Sequence, residues 1–211
     1  MMFGAPLPQA ETRTKLTSRD RTLCVTFAQD AVWVATTAYK GWDWFRPILN
    51  ASLETIESLA PVQGYTRLGL RYVNELRVPL TGDLPDWSQW VIPELIGPAR
   101  RFGGLVDGQL MRQGRAQVRS GADRLITVRY GSLTGRSSVS PDGQALVAPT
   151  TFPEGPFFLW DTDCAWTLPV TQSVPTFEAT SVGEQLESLH SPVKGLFEAV
   201  ITDRLRAEVL M

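Results

Sequence analysis

His190 is the single histidine of this 211-residue chain, and Cys24 and Cys164 are its two cysteines. That scarcity excludes the common zinc cages, which need four nitrogen or sulfur ligands brought together. It also narrows nucleophilic catalysis, because a serine or cysteine nucleophile needs a base that titrates near neutral pH, and only His190 is available. His190 stands between Leu186 and Val193 on the apolar stripe of a helical pattern, the position of a hydrogen-bonded structural histidine. Gly103-Gly104 lacks the following Lys-Ser/Thr of a phosphate-cradling loop. In Gly131-Ser132-Leu133-Thr134-Gly135 the serine adjoins the first glycine, whereas a nucleophile elbow holds it midway. No catalytic residue and no cofactor are therefore assigned, and the chain reads as a protein without enzymatic machinery.

Apolar runs are short. None approaches the roughly 18 uninterrupted apolar residues of a membrane span, and Met1 to Arg13 show no cationic segment followed by an apolar stretch. The expectation is a cytoplasmic protein with no membrane segment. Both cysteines sit in apolar, strand-like runs, where a reduced thiol behaves as a small hydrophobe.

Hydrophobic residues make up 43% and charged residues 20%, ordinary globular usage that predicts one α+β domain over residues 1–211, with a flexible N-terminus over 1–13. The net charge of −2 is unevenly spread. Residues 100–136 hold eight arginines against Asp107 and Asp123, while residues 154–211 hold nine acids against Lys194, Arg204 and Arg206. The two segments either pair with each other in the fold or leave a dipolar surface that steers a partner.

The order of elements follows from periodicity. Residues 14–36 read as two or three strands, with a hairpin turn at Ala28-Gln29-Asp30-Ala31. Phe45, Ile48, Leu49, Leu53, Ile56, Leu59 and Ala60 recur at helical spacing, with Asp43 as the expected N-cap and Pro47 near the first turn; Pro61 and Gly64 stop that helix. Residues 65–78 alternate as a strand, residues 79–104 fold down through Trp87 and Trp90 with a short helix over 93–101, and residues 109–119 and 124–133 form two more strands. A long loop over 134–156, with a short strand at Ala145, Leu146 and Val147, leads to a strand over 157–168. The last helix carries Val182, Leu186, Leu189, Val193, Leu196, Phe197, Val200 and Ile201, with a capping box at Ser181 and Glu184 and a kink or restart at Pro192. The predicted architecture is α+β: an antiparallel sheet, curved or split in two, covered by two long amphipathic helices.

The strand Arg67-Leu68-Gly69-Leu70-Arg71-Tyr72-Val73-Asn74 resembles the R-x-G-L-R-Y-x-N signature of an uncharacterised, sporadically distributed bacterial protein family. Weaker matches follow in family order at Tyr39, Trp42 to Phe45, Asp161-Thr162-Asp163, Leu189-His190, Phe197 and Ile201-Thr202-Asp203. The resemblance implies a bacterial origin and an α+β fold, and transfers no catalytic residue. The family's scattered occurrence resembles that of defence or mobile-element genes.

Three constellations carry chemistry. Asp161 and Asp163, two apart on a strand, point to one face, where they either converge on Mg²⁺ or Mn²⁺ or pair with Arg67 or Arg71. Arg67 and Arg71 share parity around Gly69 and form either a small cationic cleft or an ion-pair network, while Asn74 lies off that face as a third candidate ligand residue that bonds backbone groups. Arg112, Arg115, Arg119, Arg124 and Arg129 either track a nucleic-acid phosphate backbone or form a solvated basic face. The expected function is a non-catalytic accessory protein that binds another protein, in keeping with seven tryptophans and the bipolar charge. The alternatives are a metal-dependent enzyme or binder for a phosphate-bearing ligand and a nucleic-acid-binding accessory protein.

Overall fold

In the computed structural model the described residues are 13–59, 62–80, 85–97, 112–121, 123–138 and 152–210, with backbone alone for Arg112. Residues 1–12 of the expected N-terminal tail, 98–101 of the expected short helix, 109–111 of the next strand and the strand at 145–147 lie outside them. The described residues group into two compact units, divided between Ser52 and Leu53.

The first unit holds a three-stranded antiparallel sheet of β1 (Thr14–Thr17), β2 (Leu23–Phe27) and β3 (Val32–Thr36), in the order β1-β2-β3. The expected turn closes β2 on β3, with the Ala28 N–H donating to the Ala31 carbonyl at 2.9 Å. Helix α1 (Trp42–Leu59) starts earlier than its expected cap: the Phe45 N–H donates to the Gly41 carbonyl, which puts Asp43 inside the first turn and Pro47 in the second. The reason is burial. Trp42, Phe45, Leu49, Leu53 and Ile56 recur as one buried stripe, and Trp42 carries it one residue upstream of Asp43, while Leu59 at the other end is exposed.

The second unit is built on an antiparallel sheet of β4 (Arg67–Leu76), β5 (Arg112–Ser120), β6 (Arg124–Gly135) and β7 (Gly155–Thr167), ordered β4-β7-β6-β5 among the described residues. β5, β6 and β7 form a meander, and β7 inserts between β6 and β4. Leu70, Leu76, Val128, Phe158, Trp160, Thr162 and Cys164 alternate onto one buried face, where helix α3 (Ala179–Glu198) packs on β4 and β7. The chain between β4 and β5 includes a 3₁₀ turn at Trp87–Gln89 and helix α2 (Pro93–Ile96). It is anchored as expected by Trp87 and Trp90, both buried, with the Trp87 ring 5.4 Å from that of Phe158. Helix α4 (Asp203–Glu208) follows; the Thr202 hydroxyl caps it by accepting from the Leu205 N–H at 3.2 Å.

Two expectations about α3 are corrected. It begins at Ala179, so Ser181 lies inside it and no capping box forms; instead Glu57 of α1 accepts the Ala179 N–H at 3.0 Å. It also ends at Glu198, so Val200 and Ile201 lie beyond it, Ile201 bridging to Val91; Pro192 lies within the helix, which buries Val182, Leu186, Leu189 and Val193. No helix among the described residues is long and apolar enough to cross a membrane.

Candidate functional site

Strand alternation and register place Arg67, Gly69, Arg71 and Glu75 of β4, Asp161, Asp163 and Ala165 of β7, Leu125, Thr127, Arg129 and Gly131 of β6, and Gln113, Arg115, Gln117 and Arg119 of β5 on the face opposite α3. This face meets solvent: Arg67, Gly69, Arg71, Arg115, Arg119 and Arg129 are all exposed.

Asp161 is its centre. The carboxylate is 3% exposed, yet its two guanidinium partners are about half exposed, at 56% for Arg71 and 48% for Arg129. Arg71 approaches as a fork, donating Nε to Oδ1 and Nη2 to Oδ2, each at 2.8 Å. Arg129 Nη1 donates to Oδ2 at 3.2 Å from the other neighbouring strand. Two charge-assisted donors in parallel are the strongest form of this contact, and the bond to Asp161 raises the Arg71 guanidinium above its usual value. Asp163, two residues on, faces Arg67 Nη2 at 3.5 Å. The Arg67 guanidinium reaches it by lying along its own strand over Gly69: a Cβ there would sit 3.4 Å from Nη1. The space that the missing side chain frees is thus filled by the chain's own arginine.

Arg67, Arg71, Asp161 and Asp163 therefore come together as anticipated, and the arrangement they adopt is the ion-pair network. Both Asp161 oxygens accept from guanidiniums, and among the described residues no group of three His, Cys, Asp or Glu side chains is placed to hold a metal ion. Asn74 faces α3 and donates Nδ2 to the Trp160 carbonyl at 3.3 Å, a backbone contact. His190 faces the sheet's buried side, its Nδ1 3.0 Å from the Tyr72 hydroxyl.

The five arginines proposed to track phosphates do not share a face. Arg115, Arg119 and Arg129 do, but Arg124 turns toward α3 and donates Nη1 to Ser188 Oγ at 2.7 Å. Arg112 pairs through its backbone with Ser132. Arg129 is the partner that sequence reasoning missed: nothing local to it signals Asp161, 32 residues away, and only the β6–β7 register brings the two opposite. Arg129–Asp161 is also an ion pair between the basic and acidic segments. Glu198, Asp203 and Glu208 pair locally instead, Glu198 and Asp203 with Arg206 and Glu208 with Arg204.

On this face a shallow cleft of about 410 Å³ is lined by Arg115, Arg129, Gly131, Leu133 and Leu159 among others. Beneath β5 the Tyr130 ring occupies the space a side chain at Gly114 would need, which ties the edge strand to β6. No family model, curated protein or solved structure matches the chain.

Proposed function

We propose that the protein is a non-catalytic interaction protein that docks an acidic surface of another protein on the arginine face of its four-stranded sheet. The observation that carries this reading is the state of β5. Arg115 and Arg119 stand exposed on one face of an edge strand with no acidic partner among the described residues, while Arg67, Arg71 and Arg129 are already matched to Asp161 and Asp163. Two uncompensated guanidiniums beside a platform whose three arginines share two aspartates suit electrostatically guided docking. Nucleic acid is the weaker reading, because no exposed aromatic side chain accompanies these arginines on the face among the described residues, and single-strand binders rely on such rings for stacking.

The test is a tagged pull-down from native lysate, with mass spectrometry for proteins and an absorbance ratio for nucleic acid, comparing the natural chain with Arg115→Glu/Arg119→Glu. A stoichiometric protein companion is expected, bound about tenfold more weakly by the double variant and more weakly still in high salt. A companion retained equally by both forms, or nucleic acid in its place, would end this reading.

A further inference from the structure

Arg124 is the arginine that the sheet turns inward. It is half-buried between β6 and α3, and its neighbours give it one hydrogen bond, from Nη1 to Ser188 Oγ at 2.7 Å. On the opposite face Arg67, Arg71 and Arg129 each meet an aspartate, and Arg115 and Arg119 stand in open solvent; Arg124 is drawn inward and no ion pair joins it to an acid among the described residues. Its sequence neighbour Asp123 accepts instead from Trp166 Nε1 at 2.8 Å. A guanidinium has five N–H donors in a fixed fork, and drawing it away from water without a counter-charge is unfavourable unless something supplies one.

The space in front of it has the shape and chemistry to do so. A crevice of about 290 Å³ lies between the start of β6, the end of β5 and the middle of α3, with Arg124, Ser120, Ser188, Ser191, Pro192 and Cys164 among its walls and no carboxylate. Three hydroxyls join the guanidinium as donors. Pro192 has no N–H to give the Ser188 carbonyl one turn back, so that carbonyl lacks its in-helix partner and can accept from a ligand hydroxyl. The rest of the lining is apolar, and the volume sits at the bottom of the range of about 300–1,000 Å³ typical of small-molecule sites.

We infer that this crevice binds a small oxyanion with a short apolar body, a phosphate monoester or a carboxylate, through Arg124 and the serine hydroxyls. The site is independent of the arginine face and of any protein that docks there.

Thermal unfolding of the full chain tests this, with inorganic phosphate, methyl phosphate and isobutyrate each compared with sodium chloride at equal ionic strength. At about ten times its Kd a bound anion raises Tm by about 3–6 °C. Shifts with the two phosphates alone identify a phosphate site, with isobutyrate alone a carboxylate site, and with all three a general oxyanion site. Arg124→Met, which removes the uncompensated charge, is expected to fold and to lose the shift. Ser191→Ala, at an exposed hydroxyl, is expected to reduce it by about half and gives an answer even where Arg124→Met does not fold. No shift with any of the three anions up to about 50 mM, or an undiminished shift in whichever variants fold, would overturn the inference.

Discussion

Asp161 is nearly sealed while both its partners keep half their surface in water, so the two sides of this ion-pair cluster are not energetically equivalent. Removing Arg71 strands a buried carboxylate with one longer bond to Arg129; removing the acid strands guanidiniums that can swing into solvent. Arg71→Met is therefore expected to cost about 2–3 kcal/mol and Asp161→Asn about 1 kcal/mol, read from urea unfolding midpoints. Equal costs would mean that burial of the acid does not set the energy. Cys164 offers a second test. Burial, aided by the adjacent Asp163 charge, pushes its thiol up to about 11 from an ordinary value of 9.0. In that interval the unfolded chain ionises and the folded one does not, so stability present in full below pH 9 is lost as pH rises toward 11, by about 2–3 kcal/mol at most. Unfolding free energies across that range should fall more steeply for the natural chain than for Cys164→Ala. The faces of these side chains were legible in the sequence, since Arg67, Arg71, Asp161 and Asp163 follow strand parity. Pairing of the two acids with Arg67 or Arg71 was one of the two forms expected; the second partner of Asp161, Arg129, was not, because it depends on the register between β6 and β7.

Helices were legible by their apolar stripes and misjudged at their ends. Asp43 and Ser181 are good capping residue types, yet both helices begin upstream of them because Trp42 and Ala179 extend the buried stripes. Local capping preference, worth about 1 kcal/mol, yields to the burial of another apolar side chain. The N-terminus of α3 is satisfied instead by Glu57, a carboxylate from a helix 122 residues away, which also complements the positive end of the α3 dipole. No sequence rule anticipates a cap delivered from another element. Glu57→Ala should lower stability by about 1 kcal/mol and increase amide exchange at Ala179 and the next turn, whereas Glu57→Gln, which retains an acceptor, should recover part of that loss.

At the scale of the molecule, the α+β class could be anticipated from alternation and turn residues, and the split into two sheets was one of the two forms expected. The strand order could not, because nothing in β4 or β7 alone says that they are neighbours. The charge asymmetry resolves in part in the same way: among the described residues Arg129–Asp161 crosses between the segments, while Glu198, Asp203 and Glu208 are matched close by. β7 supports both β4 and β6, and the Arg71–Asp161 contact spans 90 residues. While the chain emerges during synthesis, β4 must therefore wait without either of its edges paired, whereas the β5–β6 hairpin can close as soon as it appears. The sheet is completed only when β7 slides between two strands already made, so the late strand acts as a keystone and the long wait before it is the interval in which a nascent copy is most exposed to pairing with the wrong edge.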